Sequence, residues 1–132
     1  MTNSKRSRIV IVFALLMACG CSREERGPML AGGREVKSWL ADLHDPKPQV
    51  RRQAVLKLGN VGDSDPAAAE GLAEAIRDSD AIVRRNAVSA VAKLSKPSDE
   101  ILAWLMNMGD RDPDLRVRDY AKRAIAHFDK AN

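Results

Sequence analysis

From Glu35 to Asp129 the apolar residues of this chain fall at helical spacing, and the pattern returns three times. Val50, Ala54, Leu58 and Val61 stand at offsets of 0, 4, 8 and 11. Val83, Ala87, Val91 and Leu94 repeat those offsets 33 residues later, and Val117, Ala121, Ile125 and Phe128 repeat them after a further 34. Such offsets trace one face of a helix. Each of these helices follows another: Val36, Leu40 and Leu43, then Ala69, Ala73 and Ile76, then Ile101, Leu105 and Met108. The pattern predicts three helical hairpins, at about residues 35–62, 66–95 and 98–129, with the loop inside the third two residues longer. No stretch alternates as a strand would.

Local signals agree with these boundaries. Asp65 before Pro66 reads as an N-cap followed by proline in the first turn. Pro48 and Pro113 stand where second helices open, and a missing N–H costs nothing there. Gly59 and Gly62 end the first repeat's second helix and its turn, and Ser95-Lys96-Pro97 ends the second repeat. Residues 34–130 thus form one all-α domain. Residues 19–33, with breakers at Gly27-Pro28 and Gly32-Gly33, read as a flexible tether.

The agreement between repeats extends to side chains. The second helices carry Val50-Arg51-Arg52-Gln53-Ala54, Val83-Arg84-Arg85-Asn86-Ala87 and Val117-Arg118-Asp119-Tyr120-Ala121. Asp45, Asp78 and Asp112 stand five residues before each valine. This pattern resembles HEAT-type repeats, and more narrowly the short HEAT-like repeats shared with phycobilisome lyases. The resemblance covers residues 35–129 and implies an α-solenoid with a right-handed superhelical stack. A lone helical hairpin cannot hide its apolar face, so neighbours must stack, and the alanines allow close approach. Asp45, Arg51, Asp78, Arg84, Asp112 and Arg118 suggest a ladder of charge-assisted hydrogen bonds between repeats. The second positions should face outward. In the family the second helices line the concave face, so Arg52, Arg85 and Asp119, with Leu56, Ser89 and Arg123, are the candidate contacts for a protein partner. Asp119 departs from the arginine pattern, as an atypical terminal repeat does.

Composition adds a destination. Lys5, Arg6 and Arg8 precede ten uninterrupted apolar residues, Ile9 to Ala18. That run is too short to span a bilayer stably, since spanning takes about 20. It has the form of a secretory signal over residues 1–18. Leu16-Met17-Ala18-Cys19 resembles a bacterial lipobox. The resemblance implies lipid on Cys19, cleavage before it, and residence in the cell envelope facing away from the cytoplasm. Gly20 at the next position favours the outer membrane where there are two. Cys21 is the alternative anchor, with Ala18 at its −3 position. Removing residues 1–18 reduces the net charge from +4 to +1, with 19 basic against 18 acidic residues. The basic character therefore belongs to the signal, and the domain carries no charge argument for nucleic acid.

Candidate chemistry is sparse. The chain has two histidines, His44 and His127, and neither precedes a glutamate. HEAT-like hydroxylases hold two irons with His-Glu pairs from several repeats. The expectation here is no metal, no cofactor and no small-molecule substrate. No cysteine follows Cys21, and no serine sits in a nucleophile motif. The leading reading is a lipid-anchored, non-enzymatic scaffold that binds another protein. A bilin-lyase-like enzyme or accessory subunit, and a HEAT-like nucleic-acid-binding module, are the alternatives.

Overall fold

The computed structural model describes residues 29–131. The signal segment and lipobox, including Cys19 and Cys21, lie outside the described residues. Among the described residues six helices form three antiparallel pairs: α1 (Val36–Asp42) with α2 (Pro48–Leu58), α3 (Pro66–Ala75) with α4 (Ala81–Val91), and α5 (Asp99–Arg111) with α6 (Leu115–Ala131). The expected all-α solenoid of three hairpins is the fold observed.

Helix starts follow the local chemistry. The Asp65 carboxylate accepts the N–H groups of Ala67 and Ala68, and Pro66 opens α3. Asp80 accepts from Ile82 and Val83, Asp114 from Arg116 and Val117, and the Ser98 hydroxyl from Ile101. Each satisfies donors that the first helical turn leaves unpaired.

The second helices lie side by side, with α2 packed on α4 and α4 on α6. The first helices touch far less: α1 meets α3 sparingly, and contact between α3 and α5 is slighter still. The stack therefore curves with α2, α4 and α6 on its inner side. Ala54, Ala87 and Ala121 are fully buried at these crossings. Val55 and Val88 are fully buried too, because they point at the following repeat. The matching residue of the last repeat is Lys122, which is exposed.

Three expectations need correction. The tether reading fails over Met29–Gly33, and a strand pair exists. β1 (Leu30–Ala31) pairs antiparallel with β2 (Arg34–Glu35) across Gly32-Gly33. Both glycines have positive φ, +59° and +84°, as a two-residue hairpin of the primed class requires. The Trp39 indole N–H donates to the Ala31 carbonyl at 2.6 Å, which buries Ala31. This hairpin lies on the outer end of the first repeat, where a preceding repeat would otherwise sit. Arg34 reaches Asp42 at 2.9 Å and also bonds Ser38. Second, the loop inside the third repeat is not longer. The additional residues extend α5 to 13 against 10 in α3, and Asp112–Asp114 alone connect to α6. Third, the buried face of α3 is Ala68, Leu72, Ala75 and Ile76, with Ala69 and Ala73 only half-buried.

Candidate functional site

The loops between paired helices carry a short repeated device. Asp45, Asp78 and Asp112 each accept the backbone N–H two residues on, from Lys47, Asp80 and Asp114, at 2.8–2.9 Å. This turn fixes the carboxylate at the loop edge. Arg51 spans the gap to the next repeat: its Nε donates to Asp78 Oδ2 at 2.7 Å and its Nη2 to Oδ1 at 2.9 Å. Arg84 does the same to Asp112 at 2.8 and 2.9 Å. The remaining Nη1 donates back to the carbonyl of the arginine's own repeat. Arg51 reaches Asp45 O at 2.9 Å, Arg84 reaches Asp78 O at 2.8 Å, and Arg118 reaches Asp112 O at 2.6 Å. Arg51 and Arg84 thus each tie their own loop to the next repeat's aspartate, with bidentate geometry that suits a guanidinium, while Arg118 among the described residues bonds only its own loop.

Electrostatics follow from this geometry. Burial of Asp78 opposes its ionisation. Hydrogen bonds from Arg51 and from the Asp80 N–H, with the Arg51 charge, outweigh that and hold the carboxyl below the usual range. Hydrogen bonding to Asp78 and Asp112 raises Arg51 and Arg84 above the ordinary arginine value.

Arg52 was expected to face outward as a contact residue, and the structure places it differently. Its guanidinium grips Asp80, with Nη2 3.0 Å from both carboxylate oxygens. This second rung lowers the Asp80 pKa, first through the Arg52 hydrogen bond and then through the N–H of Val83. Arg85 is half-buried with its Cζ 5.8 Å from the centre of the Tyr120 ring, so it too spans a repeat boundary. The physical reason is shared. Neighbouring second helices flank α2 and α4, so a residue 200° from the core valine meets the next helix before it meets solvent. Asp119 is exposed and pairs with Arg123 one turn on, at 2.8 Å.

The inner face itself is built from two rows. Leu56, Ser89 and Arg123 stand six residues after the core valines, on α2, α4 and α6. Leu56 is 58% exposed, Ser89 is half-buried and Arg123 is exposed. Gln53, Asn86 and Tyr120 stand three residues after those valines. The sequence reading missed this row, though its common offset in all three repeats was the available signal. Gln53 and Tyr120 are exposed and Asn86 is half-buried. The neutral groups of Asn86 and Ser89 on α4 therefore lie between Gln53 and Leu56 on α2 and Tyr120 and Arg123 on α6.

The two histidines do not meet. His44 follows α1 with its Nδ1 3.7 Å from Glu74 Oε1, and His127 lies near the end of α6. They precede Asp45 and Phe128, so a di-iron set made of His-Glu pairs does not fit them. Among the described residues no three His, Cys, Asp or Glu side chains converge to hold a metal ion. No described helix is long and apolar enough to cross a membrane.

Comparison with known proteins accords with the architecture. Among curated proteins none matches this chain. Among solved structures, human deoxyhypusine hydroxylase in complex with glycerol is similar, with a TM-score of 0.59 and 24% identity. The likeness covers 72% of this chain and 32% of that one, so this chain spans about a third of its length. It is a likeness of fold. The family profile for HEAT repeats matches residues 36–126, the span of all three stacked hairpins. This chain belongs to the HEAT-repeat family.

Proposed function

We propose that the chain is a lipid-anchored, non-enzymatic scaffold at the cell envelope that binds another protein on the inner face of its stack. The observation that carries this reading is the pair of rows on α2, α4 and α6. The amide and hydroxyl groups of Asn86 and Ser89 on α4 lie between exposed Gln53 and Leu56 on α2 and exposed Tyr120 on α6. Aromatic anchors beside adaptable hydrogen-bonding groups suit protein recognition. The anchor rests on the resemblance of Leu16-Met17-Ala18-Cys19 to a lipobox. Two or three acyl chains hold a domain firmly where one is marginal.

Two measurements test the halves separately. Palmitate labelling of the full chain should be lost in Cys19→Ala and kept in Cys21→Ala, and the reverse result moves the anchor to Cys21. Leu56→Glu and Tyr120→Ala should each abolish capture of the partner from membranes, read by quantitative mass spectrometry. Leu115→Ser, which changes an exposed residue outside the inner face, should leave it intact. Capture indifferent to Leu56 and Tyr120 would move the binding surface elsewhere.

A further inference from the structure

Two clefts open between neighbouring repeats on the loop edge of the stack, and matching residues build them. His44, Arg51, Glu74 and Arg77 line the cleft between the first and second repeats. Arg77, Arg84, Asn107 and Arg111 hold the corresponding places between the second and third. A ladder rung, Arg51 on Asp78 or Arg84 on Asp112, belongs to the lining of each.

One position sets the two clefts apart. In the first, Glu74 Oε1 lies 3.7 Å from His44 Nδ1, so the chain sets a carboxylate of its own before the basic residue that precedes the loop. In the second, Arg77 takes the place of His44, and Asn107 stands 33 residues after Glu74. Among the described residues no carboxylate pairs with Arg77 or Arg111. The Arg77 Cζ instead lies 5.0 Å from the centre of the Trp104 ring. Charge reverses as a result. The first lining sets Arg51 and Arg77 against Asp45, Glu74 and Asp78. The second sets Arg77, Arg84 and Arg111 against Asp112 alone, and Arg84 already holds that carboxylate.

The second cleft is also shaped for a ligand. Trp104, Asn107 and Arg111 stand at offsets of 0, 3 and 7 on α5 and share one face. That face and Arg77, just past the end of α3, flank buried Ile76 and Met108. The volume is about 210 Å³. Small-molecule pockets run from about 300 to 1,000 Å³, so the cleft suits a single side chain presented by a larger partner. A guanidinium fork matches a carboxylate in two parallel hydrogen bonds.

We propose that this cleft binds a carboxylate side chain from an acidic segment of another protein, with Arg77 and Arg111 as donors and the Asn107 amide beside them. The incoming carboxylate takes the place that Glu74 fills one repeat earlier. The cleft shares no residue with the rows of the inner face, so it stands whether or not that face binds a partner.

Full-length protein in detergent is titrated into a fluorescein-labelled, end-blocked oligoglutamate peptide, and binding is read by anisotropy. Binding should weaken with added salt, and the matching oligoglutamine peptide should not bind. Arg77→Gln and Arg111→Gln should each weaken it about tenfold. Asn107→Glu should weaken it as much while removing no cation, because it supplies the carboxylate of the first cleft. Lys130→Gln removes a positive charge at the opposite end of α6 from Asp112, and should leave binding within about twofold. Arg77, Asn107, Arg111 and Lys130 are exposed, and circular dichroism melts matching the parent establish that the variants fold. The proposal is overturned if the peptide does not bind, if both peptides bind alike, or if Lys130→Gln costs as much as Arg77→Gln. It is overturned as well if Asn107→Glu binds like the parent, or if inorganic phosphate displaces the peptide where equal acetate does not, which would make the site one for phosphate.

Discussion

At the scale of single residues, the arginines divide by what they leave behind when removed. Arg84→Ala strands the Asp112 carboxylate, whose side chain is 5% exposed. A buried charge without its partner is costly, so this change should lower stability by about 3 kcal/mol. Arg52→Ala breaks a pair that remains partly wetted, and should cost about 0.2–1 kcal/mol. Arg85→Ala loses one contact over Tyr120 at a half-exposed site, for about 0.5 kcal/mol. Chemical denaturation of the three variants checks the ranking, and Arg85→Ala as the most damaging would refute it. Acid acts on the same groups. Asp78 and Asp80 are held below their ordinary value of 3.8. The stability they contribute is complete above about pH 4 and disappears as pH falls through their lowered values. Melting temperature should thus be level near neutrality and fall below about pH 4. In Asp78→Asn it should start lower and fall less.

At the scale of elements, legibility in the sequence depended on how many residues repeat a signal. Val, Arg and Ala recur in register on three helices, so the second helices and the Asp–Arg pattern could be read from spacing alone. The β1–β2 hairpin has two residues per strand, too few for alternation to register, and only Gly32-Gly33 hinted at it. Arg52 was misplaced because an angle measured on one helix ignores the helices beside it. The burial of Val55 and Val88 was missed for the same reason: a helix that packs on the following repeat as well as on its own partner buries a wider arc than its core stripe. The hairpin gives an element-scale prediction. Gly33 has φ +84° with open space around it, so Gly33→Val adds backbone strain without a clash. It should cost about 1–2 kcal/mol. Trp39 fluorescence should report loosening of the hairpin before the helices melt. A Trp39 signal that changes only with the helical signal would mean that hairpin and stack unfold as one.

At the scale of the whole molecule, three repeats leave the middle one indispensable. Ala87 is fully buried, on α4 between α2 and α6. Ala87→Asp would place an unpaired carboxylate there, at a cost of several kcal/mol. That is a large part of the 5–15 kcal/mol that holds a typical domain. Nearest-neighbour stacking offers no intact remainder, so the helical signal should vanish in one transition. A native-like melt of this variant would overturn the packing register. The hairpin has a further bearing on where the molecule can work. If Cys19 carries the proposed lipid, Met29 stands ten residues from the anchor. Ten residues stretched straight reach about 35 Å. The fastening pulls at the outer end of the first repeat, where Trp39 clasps Ala31. On the proposed anchor, the domain would reach no farther from the bilayer than that length, and a bound partner would be held at the same height.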